Sequence, residues 1–216
     1  MRTLRVFLIS VAIFISNFSF GQFEGSKQIF KAPHYKDSLS KHKIVAILPF
    51  RTTISYKRMP KGFDAESNKA EEKKLGINMQ QGMYTYLLRK GGKYFVTFQD
   101  VERTNILLRQ AGVFENIDAM LPDSLAKILK VDAVIRCSYE YEKTGSEAGA
   151  IVKTVLIGSF AGKTGSGSLV MQINNGTDGG LLWRFYKEMN ENVTSSGNEV
   201  MERMMRKVSR NFPYED

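Results

Sequence analysis

The sequence predicts an α/β fold: a mixed sheet of about five strands packed by about four helices, with a C-terminal β-hairpin and then a helix. Three observations predict it. Lys43 to Phe50 reads Lys-Ile-Val-Ala-Ile-Leu-Pro-Phe, a continuous apolar run closed by proline and suited to burial on both faces of a sheet. Downstream, helical and strand-like stretches alternate in the order β-α-β-α-α-β-β-β-α. Near the end, Asn174-Asn-Gly-Thr-Asp-Gly-Gly180 separates two apolar runs with the turn chemistry of a hairpin.

The chain of 216 residues is long enough for one domain of ordinary size. Apolar residues make up 43%, enough for a real core, and 25% charge is typical of a soluble protein. The opening residues read as a secretory signal peptide over 1–21. Arg2 and Arg5 form a positive start, Val6 to Ile15 an apolar centre, and Asn17, Ser19 and Gly21 lead to a cut between Gly21 and Gln22. The apolar centre is shorter than the ~20 residues a spanning helix needs. An uncleaved membrane anchor is the alternative. No cysteine lies beside the cut, so there is no lipobox, and a periplasmic or secreted chain is expected. A net charge of +9, less the two arginines of the leader, leaves +7. That suits contact with anionic lipid headgroups or cell-wall polymer; simple solubility explains it as well.

Residues 22–42 are polar and lysine-rich and read as a linker, which leaves 43–212 as a single α/β domain. The run 43–50 is its first strand. Residues 51–65, with Arg51, Lys57, Arg58, Pro60, Lys61 and Gly62, read as a charged surface loop. Leu75, Met79, Met83, Tyr86 and Leu87 recur at three- and four-residue steps, which predicts a helix over 66–90 ended by Gly91-Gly92. Lys93 to Gln99 reads as the second strand. Asp100 is placed to cap a helix running to Gln110, which Gly112 stops.

Pro122-Asp123-Ser124 opens a third helix reaching Leu129. Val131 to Tyr141 is a long strand. Leu169 to Ile173 and Leu181 to Glu188 are the arms of the hairpin. Ser195 or Ser196 can cap the last helix, whose Val200, Met204 and Val208 face inward. Its cationic end complements the helix dipole.

Several constellations bear on chemistry. Gly158-Ser-Phe-Ala-Gly-Lys-Thr164 approaches a phosphate-binding loop, but three residues stand where four are required, and glycines follow where a helix must begin. A nucleotide-binding enzyme is therefore the least favoured function. Glu71-Glu72 with Lys73-Lys74 reads as a solvated helix face. Glu140 and Glu142 share one face of a strand end, where acid–base work is conceivable. Cys137 sits within a strand, with both histidines, His34 and His42, far away in the linker, so it reads as a buried thiol. The same three residues lack ligand spacing for a metal. No cofactor and no catalytic residue is assigned, and the chain is expected not to be an enzyme. Glycine-punctuated residues 148–162 read either as a contact loop or as a connector packed on the sheet.

Four segments resemble the envelope proteins related to the curli-secretion component (CsgG-like) and the penicillin-binding-protein activators (LpoB-like). Ile44 to Phe50 is similar to a first strand ending in Leu-Pro-Phe. Glu102-Arg103 with Ile106-Leu107 resembles an Arg-x-x-hydrophobic helix start. Leu129-Lys-Val-Asp-Ala-Val-Ile135 resembles a Leu-Gly-Ala-Asp-Ala strand entry, and Thr177-Asp-Gly-Gly-Leu-Leu-Trp183 a Thr-Gly-x-x-Leu-Trp hairpin. Lys130 and Arg136 stand where glycines are usual.

The resemblance implies a non-catalytic binding or scaffold module of the cell envelope, acting through protein contacts. Ile151, Leu156 and Phe160 are the candidate contact residues on the loop. Arg203, Arg206 and Arg210 are a candidate face for anionic polymer. Envelope proteins and cell-wall polymer are the expected partners, with a homo-oligomer as a further option and no nucleic acid. A membrane-associating oligomer working through 148–162, touching but not spanning the membrane, is the alternative.

Overall fold

The computed structural model describes residues 26–143, 165–189 and 197–215. They form a mixed α/β fold around a seven-stranded sheet. The strands are β1 (Lys27–Lys31), β2 (Ile44–Ile47), β3 (Arg51–Tyr56), β4 (Thr97–Phe98), β5 (Ala133–Lys143), β6 (Gly165–Asn175) and β7 (Leu181–Met189). The helices are α1 (Tyr35–Leu39), α2 (Ala65–Arg89), α3 (Val101–Gln110), α4 (Pro122–Leu129) and α5 (Gly197–Ser209). Two 3-10 turns, Gly91–Lys93 and Phe114–Ala119, complete the described elements. None of the described helices is long and apolar enough to cross a membrane.

The sheet runs β1-β7-β6-β5-β2-β4, and β3 joins it by pairing with β5. Strand β5 organises it. Its first residues pair in parallel with β2, from Val45 opposite Ala133 to Ile47 opposite Ile135. Its second half pairs in parallel with β3, from Arg51 opposite Ser138 to Tyr56 opposite Lys143. Between β2 and β3 the chain bends through Leu48-Pro49-Phe50, where proline has no N–H to give a ladder. The Leu48 amide still reaches the Ile135 carbonyl at 3.0 Å. On the other side β5, β6, β7 and β1 form an antiparallel set.

Two apolar clusters flank the sheet. The larger joins Val45, Ile47 and the odd-numbered residues of β5 to Leu75, Met79, Met83 and Leu87 of α2 and Met204, Met205 and Val208 of α5. The smaller joins Ala46, Leu48 and Val134 to Leu108 of α3 and Leu125 and Leu129 of α4. Helix α2 is capped by the Asp64 carboxylate, which accepts from the Glu66 and Ser67 amides, and α3 by Asp100, which accepts from Arg103. A buried amide pair locks α2 to α3. Gln80 donates to the Ile47 carbonyl at 2.7 Å, and Asn105 donates back to Gln80 at 2.9 Å.

Four sequence expectations need correction. Residues 22–42 are not wholly a linker, because Lys27–Lys31 pairs along β7 and α1 follows, ending at buried Leu39. Residues 51–65 are not wholly a loop, because 51–56 form β3, whose Thr52 and Ile54 are buried. Residues 93–99 form only a two-residue strand, since Gly91-Gly92-Lys93 winds into a 3-10 turn first. Glu71 and Glu72 are not a solvated pair. Glu71 meets Lys143 at 3.0 Å, and Glu72 accepts from the Ile54 amide at 2.8 Å. The sheet accordingly has more strands than the five expected, β1 and β3 being the additions.

Candidate functional site

Alternation along β5 divides its side chains between two environments. Ile135, Cys137, Tyr139 and Tyr141 are buried under α2 and α5. Val134 points the other way, into the α3–α4 cluster. Beyond it, on that same face, come Arg136, Ser138, Glu140 and Glu142, half-buried or exposed. Helix α4 and the Phe114–Ala119 turn reach as far as Arg136, which donates to the carbonyls of Asp118 at 3.2 Å and Met120 at 3.4 Å. The face past Arg136 carries no described helix.

Strand register sets side chains from neighbouring strands side by side, about 4.8 Å apart across the ladder. One row is Arg136, Gln172, Arg184 and Phe30. The next is Arg51, Ser138, Val170, Tyr186 and Gln28. A third is Thr53, Glu140, Ser168 and Glu188, and a fourth is Ser55, Glu142 and Ser166. The charges are therefore sorted. Arg51, Arg136 and Arg184 occupy one end of the face, and Glu140, Glu142 and Glu188 the other.

Two hollows follow this division. One of about 390 Å³ lies over the cationic end, lined by Arg51, Arg136, Arg184, Gln172, Ser138 and, at its rim, Asp118. The other, of about 410 Å³, lies over the acidic end, against Glu142, Ser166, Tyr186 and Glu188. Glu140 borders both. The Ser26 amide and the Tyr186 hydroxyl donate to Glu188, at 3.3 and 3.1 Å, and hold its carboxyl below the usual value. Such a face can bind a polar, charge-bearing partner through fixed hydrogen-bonding groups.

The other chemistry-bearing residues lie elsewhere. Burial pushes the Cys137 thiol upward, away from the thiolate a nucleophile needs. His42 is buried in the domain and not in a linker, between Tyr214 and Asn175. Among the described residues no group of three or more His, Cys, Asp or Glu is arranged to hold a metal. Arg206 on α5 and Arg210 just past its end are exposed, with Arg203 half-buried on the same helix. Glu202 on the same helix pairs with Arg89 of α2 at 2.8 Å. Helix α5 packs against the opposite side of the sheet, so these arginines do not join the open face. Ile151, Leu156 and Phe160, the near-phosphate loop at 158–164, and Gly21 and Gln22 lie outside the described residues.

Sequence reasoning singled out Glu140 and Glu142 but missed Arg51 and Arg184, and noted Arg136 only as a replaced glycine. The signal was present in the alternation. Arg136-x-Ser138-x-Glu140-x-Glu142, Ser166-x-Ser168 and Arg184-x-Tyr186-x-Glu188 each place polar groups at every second residue.

No protein-family model and no curated protein matches the chain. Several solved structures are similar to it. A lipoprotein from Neisseria meningitidis is 14% identical, covering 78% of this chain and 96% of its own, at a TM-score of 0.44. A PelC dodecamer from Paraburkholderia phytofirmans is 13% identical, covering 88% and 97%, at 0.41. The C-terminal domain of LpoB from Salmonella enterica is 11% identical, covering 73% and 96%, at 0.37. Likeness at that level transfers no residue role.

Proposed function

We propose that this chain is a non-catalytic binding module of the cell envelope. It presents the open face of its sheet to a protein partner. One observation carries the reading: the uncovered face of β3, β5, β6, β7 and β1 is predominantly polar, with Val170 the apolar member at its centre, and sorted into a cationic and an acidic end. A sheet face that merely met water would need no such separation. Separated charges fix the register of a complementary partner more than they add to affinity.

Two further points support it. The amino-terminal residues read as a secretory leader, which directs the chain to the envelope. Residues 144–164 connect β5 to β6, leaving at Lys143 and returning at Gly165, which are paired at the acidic end of the face. The proposed contacts Ile151, Leu156 and Phe160 belong to this connection, so an apolar contact and an acidic one would engage a single partner together.

The test is co-purification from envelope extracts with two variants, Glu140→Lys/Glu142→Lys and Leu156→Ser/Phe160→Ser. Both are expected to keep the wild-type unfolding midpoint and to lose the partner. Retention of the same partner by both folded variants would contradict the reading.

A further inference from the structure

We propose that the hollow between Arg51, Arg136 and Arg184 is a binding site for an oxyanion, a phosphate or carboxylate group borne by the ligand. This rests on the open face being the working face and names the chemistry its cationic end recognises.

Three arginines converge there, each charged at any physiological pH and each built to grip a planar oxyanion through two parallel N–H bonds. Arg136 is already oriented. Its guanidinium donates to the Asp118 and Met120 carbonyls, and its side chain is only 25% exposed, so little freedom remains to lose on binding. Arg184 lies two strands away across Gln172, so the two backbones are roughly 10 Å apart. That separation suits two long side chains closing on one group from opposite sides.

Arg51 enters from β3, opposite Ser138, and supplies the third side. Among the described residues the side chains of Arg51 and Arg184, both in strand ladders, make no hydrogen bond or ion pair of their own. Gln172 and Ser138 add uncharged donors to the floor. Two carboxylates border the site. Asp118 stands 4.0 Å from Arg136, and Glu140 lies on the acidic side. Three guanidiniums against two carboxylates leave the hollow net cationic, and Glu140 would repel an anion displaced toward the acidic end. The volume, about 390 Å³, is at the small end of the roughly 300–1,000 Å³ of ligand pockets. It fits a sugar phosphate or a tricarboxylate.

The experiment titrates the chain with inorganic phosphate, with citrate, and with phosphatidylglycerol vesicles, all at one ionic strength so that screening is constant. The variants are Arg184→Gln, Arg136→Gln and, as a distant control, Lys74→Gln on the exposed side of α2. Saturable binding of phosphate or citrate is expected, weakened at least tenfold in Arg184→Gln and unchanged in Lys74→Gln. Arg136→Gln should behave like Arg184→Gln; if it unfolds, Arg184→Gln alone decides. Vesicle binding that Arg184→Gln abolishes would place the oxyanion on a lipid headgroup. Free-anion binding without vesicle binding would place it on a soluble ligand.

The proposal is overturned if none of the three probes saturates, or if Lys74→Gln weakens binding as much as Arg184→Gln does. No protein partner enters these titrations. They can therefore fail while co-purification succeeds, and the reverse.

Discussion

The imidazole Nδ1 of His42 lies 2.8 Å from the hydroxyl of Tyr214, tying the entry of β2 to the end of the chain. The other ring nitrogen lies 3.3 Å from Asn175 Oδ1, in the hairpin turn. A neutral ring satisfies both, with the Tyr214 hydroxyl donating to Nδ1 and Nε2–H donating to Asn175. Next to them the Asp132 carboxylate accepts from the Lys43 and Ile44 amides at 2.7 and 2.8 Å.

This cluster gives stability a predicted pH dependence. Burial lowers the His42 pKa below 6.5, against the opposing pull of Asn175 and Asp132. The unfolded chain then binds the extra proton more readily than the folded one. The contribution is complete above pH 6.5 and is lost as pH falls through the lower folded value, at no more than about 1.4 kcal/mol per pH unit. The Asp132 carboxyl belongs to a lower window. Burial pushes its pKa up, but the Ile44 and Lys43 amides outweigh that and hold it below 3.8, so its share is lost only in stronger acid. Urea unfolding between pH 7.5 and 5 should show the His42 step in the wild type and a flatter profile in His42→Gln. Identical slopes would contradict the assignment.

Lys143 and Glu71 meet at 3.0 Å with side chains only 8% and 16% exposed, and Lys143 also sits 5.1 Å over the Tyr56 ring. This joins the end of β5 to α2. Removing one member strands a buried charge, so Glu71→Leu alone should cost about 3 kcal/mol. Glu71→Leu/Lys143→Met should recover most of that, since an apolar pair of similar size replaces the ions. Denaturant midpoints of the two single variants and the double variant measure the coupling.

Gly76 is where α2 touches the Leu48-Pro49-Phe50 bend. A Cβ there would stand 2.2 Å from the Phe50 carbonyl oxygen, a backbone atom that cannot swing aside. Gly76→Ala should therefore destabilise by about 2 kcal/mol as the helix shifts outward. Gly91→Ala, with nothing within 4 Å of the added carbon, is the comparison and should lack that packing penalty. Thermal unfolding of both separates overpacking from any general effect of losing a glycine.

Lys130 closes α4 in the left-handed conformation, with φ 55° and ψ 52°. Relief of left-handed strain, roughly 1 kcal/mol, outweighs the added freedom of an unfolded glycine. Lys130→Gly should raise stability by about 0.5 kcal/mol, read as a higher urea midpoint.

Much of the fold was legible because burial leaves a period. The α2 stripe of Leu75, Met79, Met83, Tyr86 and Leu87 is buried as its spacing implied, and Val45, Ala46 and Ile47 of β2 are buried between the two clusters while Ile44 at its start is exposed. The elements that escaped notice lack such a signal. Strand β3 reads Arg-Thr-Thr-Ile-Ser-Tyr, and its place depends on the second half of β5 being free to pair. Strand β6 is expected from Leu169, but its first residues read Gly-Ser-Gly-Ser, a linker composition; Gly167 packs tightly there, a Cβ on it meeting the Tyr139 hydroxyl at 2.9 Å. Phe212 closes the expected domain and Tyr214 lies just past it, yet both are buried in the main core. Alternation marks a polar face on each strand alone, but the sorting of its charges is hidden for a different reason. Its members come from separate strands, and only the register brings Arg51, Arg136 and Arg184 together.

The open face as the working surface is tested most directly by site-specific photocrosslinking in intact envelopes. A photoreactive residue is placed at Ser138 or Ser168 on the face, or at exposed Lys74 on α2. The account predicts one discrete adduct from both face positions and none from Lys74. An adduct from Lys74 with none from Ser138 or Ser168 would contradict it.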